Sequence, residues 1–234
     1  MERLSLNNTH IWFDETLLKE KPELCFDIAF WQQKDAVLGS ATGRGITWFV
    51  QTDTVPAALR HYRRGGLFGK LVKDSYLFAG WESTRAAEEF NLLHYLRDAG
   101  IAVPRPLAAR AVREGLTYQA DILVEKIDGA RDLVGILTEE TLTTAQYRAV
   151  GRLVRQLHDA GVCHTDLNIH NILLDNEGLF WLIDFDKCGR RDGDSWKAAN
   201  LSRLQRSFNK EVGRFQIRWQ PADWDALMQG YQGQ

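Results

Sequence analysis

The sequence predicts an α+β protein in two lobes: a β-rich first half over 1–127 and a mainly helical, reduced second half over 128–234. Three observations predict this. Short apolar runs separated by Gly- and Asp-containing turns crowd residues 36–62, two helical stripes of one-sided apolar spacing follow, and the chain beyond Lys187 reads as mostly helical. At about 150 residues per domain, 234 residues leave room for one large domain or two small lobes.

The first 35 residues carry few signals. Val37-Leu38-Gly39, Ile46-Thr47-Trp48-Phe49-Val50 and the stretch 55–62 read as successive strands. A helix is expected over 83–99, with Ala86, Glu89, Leu93 and Leu96 on one face, Gly100 as its C-cap, and Pro104 and Pro106 ending any continuation. A strand over 118–127 runs into the Asp128-Gly129 turn. Thr143 and Gln146 form a capping box, in which hydroxyl and amide satisfy orphan backbone groups. The helix it opens carries Val150, Leu153, Val154 and Leu157 on its core side and closes at Gly161. Two apolar runs, 172–174 and 179–183, joined by Asp175-Asn176-Glu177-Gly178, read as a hairpin.

Composition narrows the class. With 44% hydrophobic and 26% charged residues, the chain has material for a real core, and its net charge of −2 gives no global excess to attract nucleic acid. No apolar stretch approaches the ~18 residues of a spanning helix. Met1–Asn8 lacks the apolar core of a secretory signal. Cys25, Cys163 and Cys188 are odd in number and far apart, which argues against a disulfide frame or a zinc site. A soluble, intracellular protein is expected.

The strongest chemical signal is His164-Thr165-Asp166-Leu167-Asn168-Ile169-His170-Asn171, followed by the hairpin and Asp184-Phe185-Asp186. Phosphoryl transfer asks for this set: one carboxylate orients the attacking hydroxyl, while an amide and a second carboxylate hold magnesium on the triphosphate. Asp166 and Asn171 stand five residues apart on one loop, and Asp184 follows thirteen later, about the length a small hairpin needs to return. An isolated Asp-x-x-x-x-Asn is common and a buried polar loop can be purely structural; the added hairpin and the apolar run 180–183 before Asp184 favour chemistry.

The motif, with Ile183 ahead of Asp184, resembles the catalytic core of the protein-kinase-like superfamily. Leu59-Arg60-His61-Tyr62-Arg63-Arg64-Gly65-Gly66-Leu67, together with His164–Asn168, narrows the resemblance to its lipopolysaccharide kinase branch. The resemblance implies a two-lobed fold with ATP and Mg²⁺ between the lobes, and transfer to the 4-hydroxyl of 3-deoxy-D-manno-octulosonic acid (Kdo) on the lipid A precursor. It also implies a peripheral place at the cytoplasmic face of the bacterial inner membrane. Asp166 would orient the hydroxyl, and Asn171 and Asp184 would bind the metal. Gly39, Gly43 and Gly45 would form the loop over the phosphates, although their spacing departs from G-x-G-x-x-G and a glycine cluster between strands is often just a turn. Glu125, in the segment where the halves join, is counted with the nucleotide-binding residues.

The superfamily places a lysine on the third strand, paired with a helix glutamate; here Ala58-Leu59-Arg60 occupies that place. Arg60 is the natural cation, a departure because arginine and lysine are not interchangeable, with Lys70 and Lys73 in reserve. Its partner is expected to be Glu89, on the inward stripe, rather than Glu88, about 100° round the helix. Asp186 replaces the glycine of D-F-G, only 50 residues follow Asp184, and no Ala-Pro-Glu segment occurs among them. A small-molecule or glycolipid kinase is favoured over a regulated protein kinase.

Arg60, Arg63, Arg64, Lys70 and Lys73 make residues 60–73 purely basic, and 187–218 holds nine basic against three acidic residues, with Trp196, Phe208, Phe215 and Trp219 interleaved. Such stretches suit an anionic amphipathic ligand or an acidic membrane surface; the plainer alternative is a solvated helix face whose aromatics belong to the core. Three rivals stand beside the main reading: another kinase of the fold acting on a core heptose or small molecule, a silent pseudokinase serving as a binding module, and a nucleic-acid binder, for which nothing else in the sequence asks. His10, His61, His94 and His158 form no ligand pattern and receive no role. The acceptor hydroxyl and oligomeric state lie beyond sequence reasoning.

Overall fold

A computed structural model describes residues 1–43, 45–63 and 74–234. Arg44, Arg64, Gly65, Gly66, Leu67, Lys70 and Lys73 therefore lie outside the described residues. The chain divides into two compact units, 1–94 with 104–127 and 95–103 with 128–234.

The first unit is built on one antiparallel sheet. Its strands are β1 (Glu2–Leu6), β2 (Thr9–Phe13), β3 (Val37–Thr42), β4 (Ile46–Gln51), β5 (Pro56–His61), β6 (Tyr76–Leu77), β7 (Pro106–Glu114) and β8 (Thr117–Glu125). They run in the order β1-β2-β7-β8-β5-β4-β3, with β6 also paired to β8. Successive side chains of a strand alternate between faces. On β5, Ala57 and Leu59 enter a core with Ile11, Leu18, Phe26, Trp31, Val50, Leu107, Ala108 and Leu123, so Ala58 and Arg60 point to the other face. The short helix α1 (Ile28–Gln33) delivers Trp31 to that core. Asp27 caps it by accepting from the Ala29 N–H, and the Trp31 indole donates to the Cys25 carbonyl at 2.8 Å. Helix α2 (Arg85–Asp98) buries Ala86, Glu89, Leu93 and Leu96, as its spacing predicts, and leaves Glu88 exposed.

Four strands of this unit (β1, β2, β6 and β7) and α1 had no sequence signal. The β1–β2 hairpin turns at Asn7, whose φ of 46° is the left-handed conformation asparagine tolerates. Strand β7 is alanine-rich, a poor strand composition, and its flanking prolines read as helix terminators. It lies between β2 and β8, with Leu107, Ala108, Ala109 and Ala111 all fully buried. Burial on both faces erases the alternation that would mark a strand.

The second unit holds α3 (Leu133–Glu139), α4 (Thr144–Asp159), α5 (Lys197–Phe215) and α6 (Pro221–Gln232). Between them lie β9 (Arg131–Asp132), β10 (Val162–Cys163), β11 (Ile172–Leu174), β12 (Phe180–Leu182) and β13 (Gly189–Arg190). The hairpin β11–β12 forms with β9 alongside, and β10 pairs with β13. Asp175 sets the hairpin turn: one carboxylate oxygen accepts from the Glu177 and Leu179 N–H groups and the other from the Trp181 indole. The predicted Thr143–Gln146 capping box opens α4. Tyr147, Val150, Leu153, Val154 and Leu157 are buried along it, and each large aliphatic among them contributes about 1.5–3 kcal/mol on burial. The aromatics of the second basic stretch mostly join this core: Trp196 and Phe208 are buried and Trp219 stacks on Phe208 at 3.9 Å, leaving Phe215 exposed. The expectation of aromatics interleaved with charge on a ligand surface is corrected to that one residue, because large flat rings gain more from the core than from solvent.

Helices α4 and α6 approach at two glycines. A Cβ on Gly151 would lie 2.0 Å from the Leu227 carbonyl oxygen, and one on Gly230 2.0 Å from the Arg148 carbonyl oxygen. Alanine gains up to about 1 kcal/mol over glycine in a helix interior, but a backbone collision cannot be relieved by a rotamer change. Gly151→Ala and Gly230→Ala should each therefore destabilise by about 1–3 kcal/mol, read as a lower denaturant midpoint; a midpoint at or above wild type would show that the helices can part at no cost.

Candidate active site

In the first unit, Arg60 leaves β5 on the face opposite the Trp31 core, and its Nη2 donates to Glu89 at 2.7 Å to both oxygens. The Tyr62 hydroxyl donates to Glu89 Oε2 at 2.6 Å. Glu89 is 4% exposed and Arg60 27%, so a buried carboxylate meets a cation whose outer edge stays wet. His61 takes the other direction. Its Nδ1 lies 2.8 Å from Asp121 and its Nε2 3.3 Å from Asp74, while Arg110 donates to the second Asp121 oxygen. The Asp121 hydrogen bond, acting against burial, lifts the His61 pKa. The Arg60-His61-Tyr62 run thus reads as alternate sides of one strand, Arg60 and Tyr62 sharing Glu89 and His61 matched to Asp121. Sequence reasoning missed Tyr62 and the pairing of His61; a polar residue two positions from the strand cation, on the same face, was the available signal.

The three glycines lie at the β3–β4 hairpin. Gly39 sits at a register shift in β3 with φ of 152°, and the Gly43 N–H donates to the Gly45 carbonyl at 2.9 Å. Around Gly39 and Gly43 nothing stands within 4 Å of where a Cβ would be, whereas at Gly45 the Arg63 side chain comes to 2.9 Å. Glu125 is not part of the Arg60 cluster. Arg105 grips its carboxylate through Nε and Nη2 at 2.9 and 2.7 Å, so a nucleotide contact from this residue would fall to its backbone.

In the second unit the predicted loop folds around the backbone of one residue, Ile183. The Ile183 N–H donates to the Asn171 carbonyl, and the Ile183 carbonyl accepts from His164 Nε2, each at 3.0 Å. His164 is fully buried and its pKa is lowered, chiefly by burial. A neutral ring with the proton on Nε2 leaves Nδ1 to accept from the Asp166 N–H at 3.3 Å. Leu167 and Ile169 anchor the loop in the core. Asn168 caps the 3-10 turn Ile169–Asn171, and both Asn168 and Asn171 donate their amides to the Asp166 carbonyl at 2.9 Å. Asp184 follows Ile183 in the left-handed conformation, φ 64°, a costly geometry for a residue with a Cβ and one that recurs at functional sites. Phe185 is buried edge-on against His164 at 4.8 Å. The structure therefore draws Asp166, Asn171 and Asp184 together through the backbone. Asp166 itself is half exposed, with Oδ1 3.1 Å from Arg203 Nη1 on α5, a partner the sequence did not reveal.

A second support comes from behind. The Asn200 amide donates to the His164 carbonyl at 2.7 Å, Asn200 Oδ1 lies 3.0 Å from His158 Nε2, and His158 Nδ1 lies 2.8 Å from the Tyr231 hydroxyl. Asn200 can only accept through Oδ1, so His158 carries its proton on Nε2 and Tyr231 donates to Nδ1. Burial keeps His158 below its ordinary pKa.

Two predictions follow from these networks. Tyr62→Phe removes a hydrogen bond to a buried carboxylate and should lower unfolding free energy by about 1.5–3 kcal/mol, measured in urea; a change below about 0.5 kcal/mol, the size of a surface effect, would mean Arg60 alone satisfies Glu89. His158 and His164 are held neutral, so the unfolded chain binds protons more readily than the folded one. Their stabilisation is intact above the ordinary histidine pKa of about 6.5 and is lost as pH falls below it. His61, lifted, acts in the opposite sense, stabilising in acid. The melting temperature should fall from about pH 7.5 to about 5.5, across the ordinary histidine range, and more steeply in His61→Gln; a flat profile in that variant would show the two rings are not held neutral.

Comparisons with known proteins identify the family. The profile of the lipopolysaccharide kinase (Kdo/WaaP) family matches residues 28–231. Among relatives, the 3-deoxy-D-manno-octulosonic acid kinase of Photobacterium profundum is 59% identical over 232 residues, 99% of this chain and 98% of that one. The protein of the same name from Vibrio cholerae serotype O1 is 60% identical over 209 residues, 89% of each chain. That of Haemophilus influenzae (strain 86-028NP) is 49% identical over 239 residues, 99% of each. With a loop suited to phosphoryl transfer and relatives matched along nearly their whole length, the chain belongs to the lipopolysaccharide kinase (Kdo/WaaP) family.

Proposed function

We propose that this protein is an ATP-dependent phosphotransferase that phosphorylates the 4-hydroxyl of Kdo on the Kdo–lipid A precursor, in lipopolysaccharide core biosynthesis. The observation that carries the reading is the Ile183 backbone held between His164 and Asn171, which supports a carboxylate, an amide and a second carboxylate acting from one framework. The name shared by the relatives supports the acceptor. The two compact units are read as the two lobes of a protein-kinase-like fold.

In this mechanism Asp166 accepts the hydrogen bond of the acceptor hydroxyl and turns its oxygen toward the γ-phosphate. Arg60, positioned by Glu89 and Tyr62, steadies the nucleotide phosphates, and the Gly39–Gly45 hairpin offers backbone N–H groups to them. The donor set fits magnesium: Asn171 has its Nδ2 committed to the Asp166 carbonyl, which leaves its amide oxygen to serve with the Asp184 carboxylate, and both are hard oxygen donors. Among the described residues no group of three or more His, Cys, Asp or Glu could hold a metal, which suits an ion that takes one or two protein ligands and completes its shell with phosphate oxygens and water. Magnesium would neutralise charge on the transferred phosphate.

The acceptor is a large anionic glycolipid, and α5 offers a matching surface. Arg203, Arg206, Lys210 and Arg214 recur on one exposed side of that helix, with Phe215 exposed at its end. Each cation near an acidic bilayer adds about 1 kcal/mol, so a peripheral contact with the cytoplasmic leaflet of the inner membrane accompanies the reading. No helix among the described residues is long and apolar enough to cross a membrane.

Transfer of ³²P from [γ-³²P]ATP to Kdo–lipid A precursor, read by mass spectrometry for the modified position, tests the function; labelling of a core heptose or an aminoglycoside in its place would overturn it. Asp166→Ala should lower kcat by roughly 10²–10⁴ with ATP affinity nearly kept. Turnover at the wild-type rate in that variant would remove Asp166 from the mechanism.

A further inference from the structure

Arg203 stands where a catalytic cation has no evident use. Its Nη1 reaches Asp166 Oδ1 at 3.1 Å, both side chains are about half exposed at 48% and 49%, and no other hydrogen bond of Arg203 occurs among the described residues. The contact uses one N–H of five, although a guanidinium is shaped to grip two oxygens of a carboxylate at once. It also engages one oxygen of the group that must receive the acceptor hydroxyl. A single-point ion pair between wet side chains is weak, so a better-shaped anion can displace it. The substrate class named for the relatives is a sugar acid, whose carboxylate is ionised at neutral pH and presents two oxygens in one plane.

We propose that Arg203 is the residue that recognises the carboxylate of the sugar-acid acceptor, and that its transfer from Asp166 to that carboxylate releases Asp166 for the hydroxyl. The inference rests on the reading of Asp166 as the hydroxyl-orienting group. In the resting enzyme Arg203 then does two things. It holds the place of the acceptor's anionic group, and it keeps Oδ1 of Asp166 from serving a water molecule. Only an acceptor carrying an acid in the right place removes the block, so acid recognition and activation of the base become one event. Arg206, Lys210 and Arg214 continue the same side of α5 and remain for other anions of the glycolipid.

The experiment compares Kdo–lipid A precursor with its Kdo carboxyl methyl ester, which keeps every lipid phosphate. Transfer is measured with wild type, R203Q and R203K, alongside ATP hydrolysis without acceptor. Wild type should prefer the acid in kcat/KM by about tenfold or more, the scale of one charged hydrogen-bonded pair. R203Q should lose most of that preference, largely through a higher KM for the acid, and should hydrolyse ATP faster than wild type when no acceptor is present. R203K, which keeps a cation but not the fork, should retain only part of the preference and covers the case in which R203Q folds poorly. An acid-to-ester ratio unchanged in R203Q and R203K overturns recognition, including the outcome in which Arg203 reads a lipid phosphate and both acceptors lose equally. Unchanged or slower ATP hydrolysis in R203Q overturns the release of Asp166. Failure of wild type to label the acid acceptor would instead defeat the functional reading itself.

Discussion

The backbone of Ile183 is the point on which the site depends. Its N–H and its carbonyl are the two polar groups that a strand end would normally offer to a neighbouring strand. Here they go to opposite ends of the catalytic loop, Asn171 and His164. Because both bonds are made by one residue, they fix the backbone on either side of the Ile183 Cα, each peptide being planar and stiff, and the residue that follows, Asp184, leaves it in a fixed direction. The positive φ of Asp184 is the cost of that direction, sustained by a buried Phe185 on one side and the clamped Ile183 backbone on the other. Burial of His164 belongs to the same device, since a neutral ring can donate and accept at once where a charged one could only donate.

A parallel economy operates in the first unit. Glu89 is a buried carboxylate, a group that would be expelled or neutralised if left alone. Arg60 and Tyr62 together supply three short contacts to its two oxygens. On the proposed mechanism, that arrangement lets an arginine stand where the protein-kinase-like resemblance expects a lysine. A guanidinium that gives one nitrogen to the glutamate still has an outer edge for phosphate, whereas an ammonium would have to divide a single point charge. The tyrosine hydroxyl completes the acid so that the arginine need not saturate it.

Much of this was legible in the sequence, and the limits were physical. The catalytic loop, the hairpin, the capping box at Thr143 and the inward position of Glu89 all rest on local spacing, which a single chain displays. Strand β7 did not, because a central strand made of alanines loses both its propensity and its alternation. Arg203, Asn200 and Tyr231 were invisible for a different reason. Each acts on the loop, directly or through His158, across 36 residues or more of chain, and local spacing carries no sign of a partner that distant. The basic stretches were half informative: their charge reaches solvent on α5, but Trp196, Phe208 and Trp219 are core, and 64–73 lie outside the described residues. His158, given no role from its sequence context, proved to be a link between two supports.

That link bears on how the protein is made. A ribosome releases the chain from its N-terminus, and domains tend to fold as they emerge. The catalytic loop leaves with only part of its frame. Asn200, which bonds the His164 carbonyl, comes 36 residues later, and Tyr231, which steadies His158, is 73 residues beyond its partner. The residues proposed to do the chemistry are thus synthesised before the ones that hold them still, and the nascent kinase acquires its full set of loop supports only when α6 has been delivered.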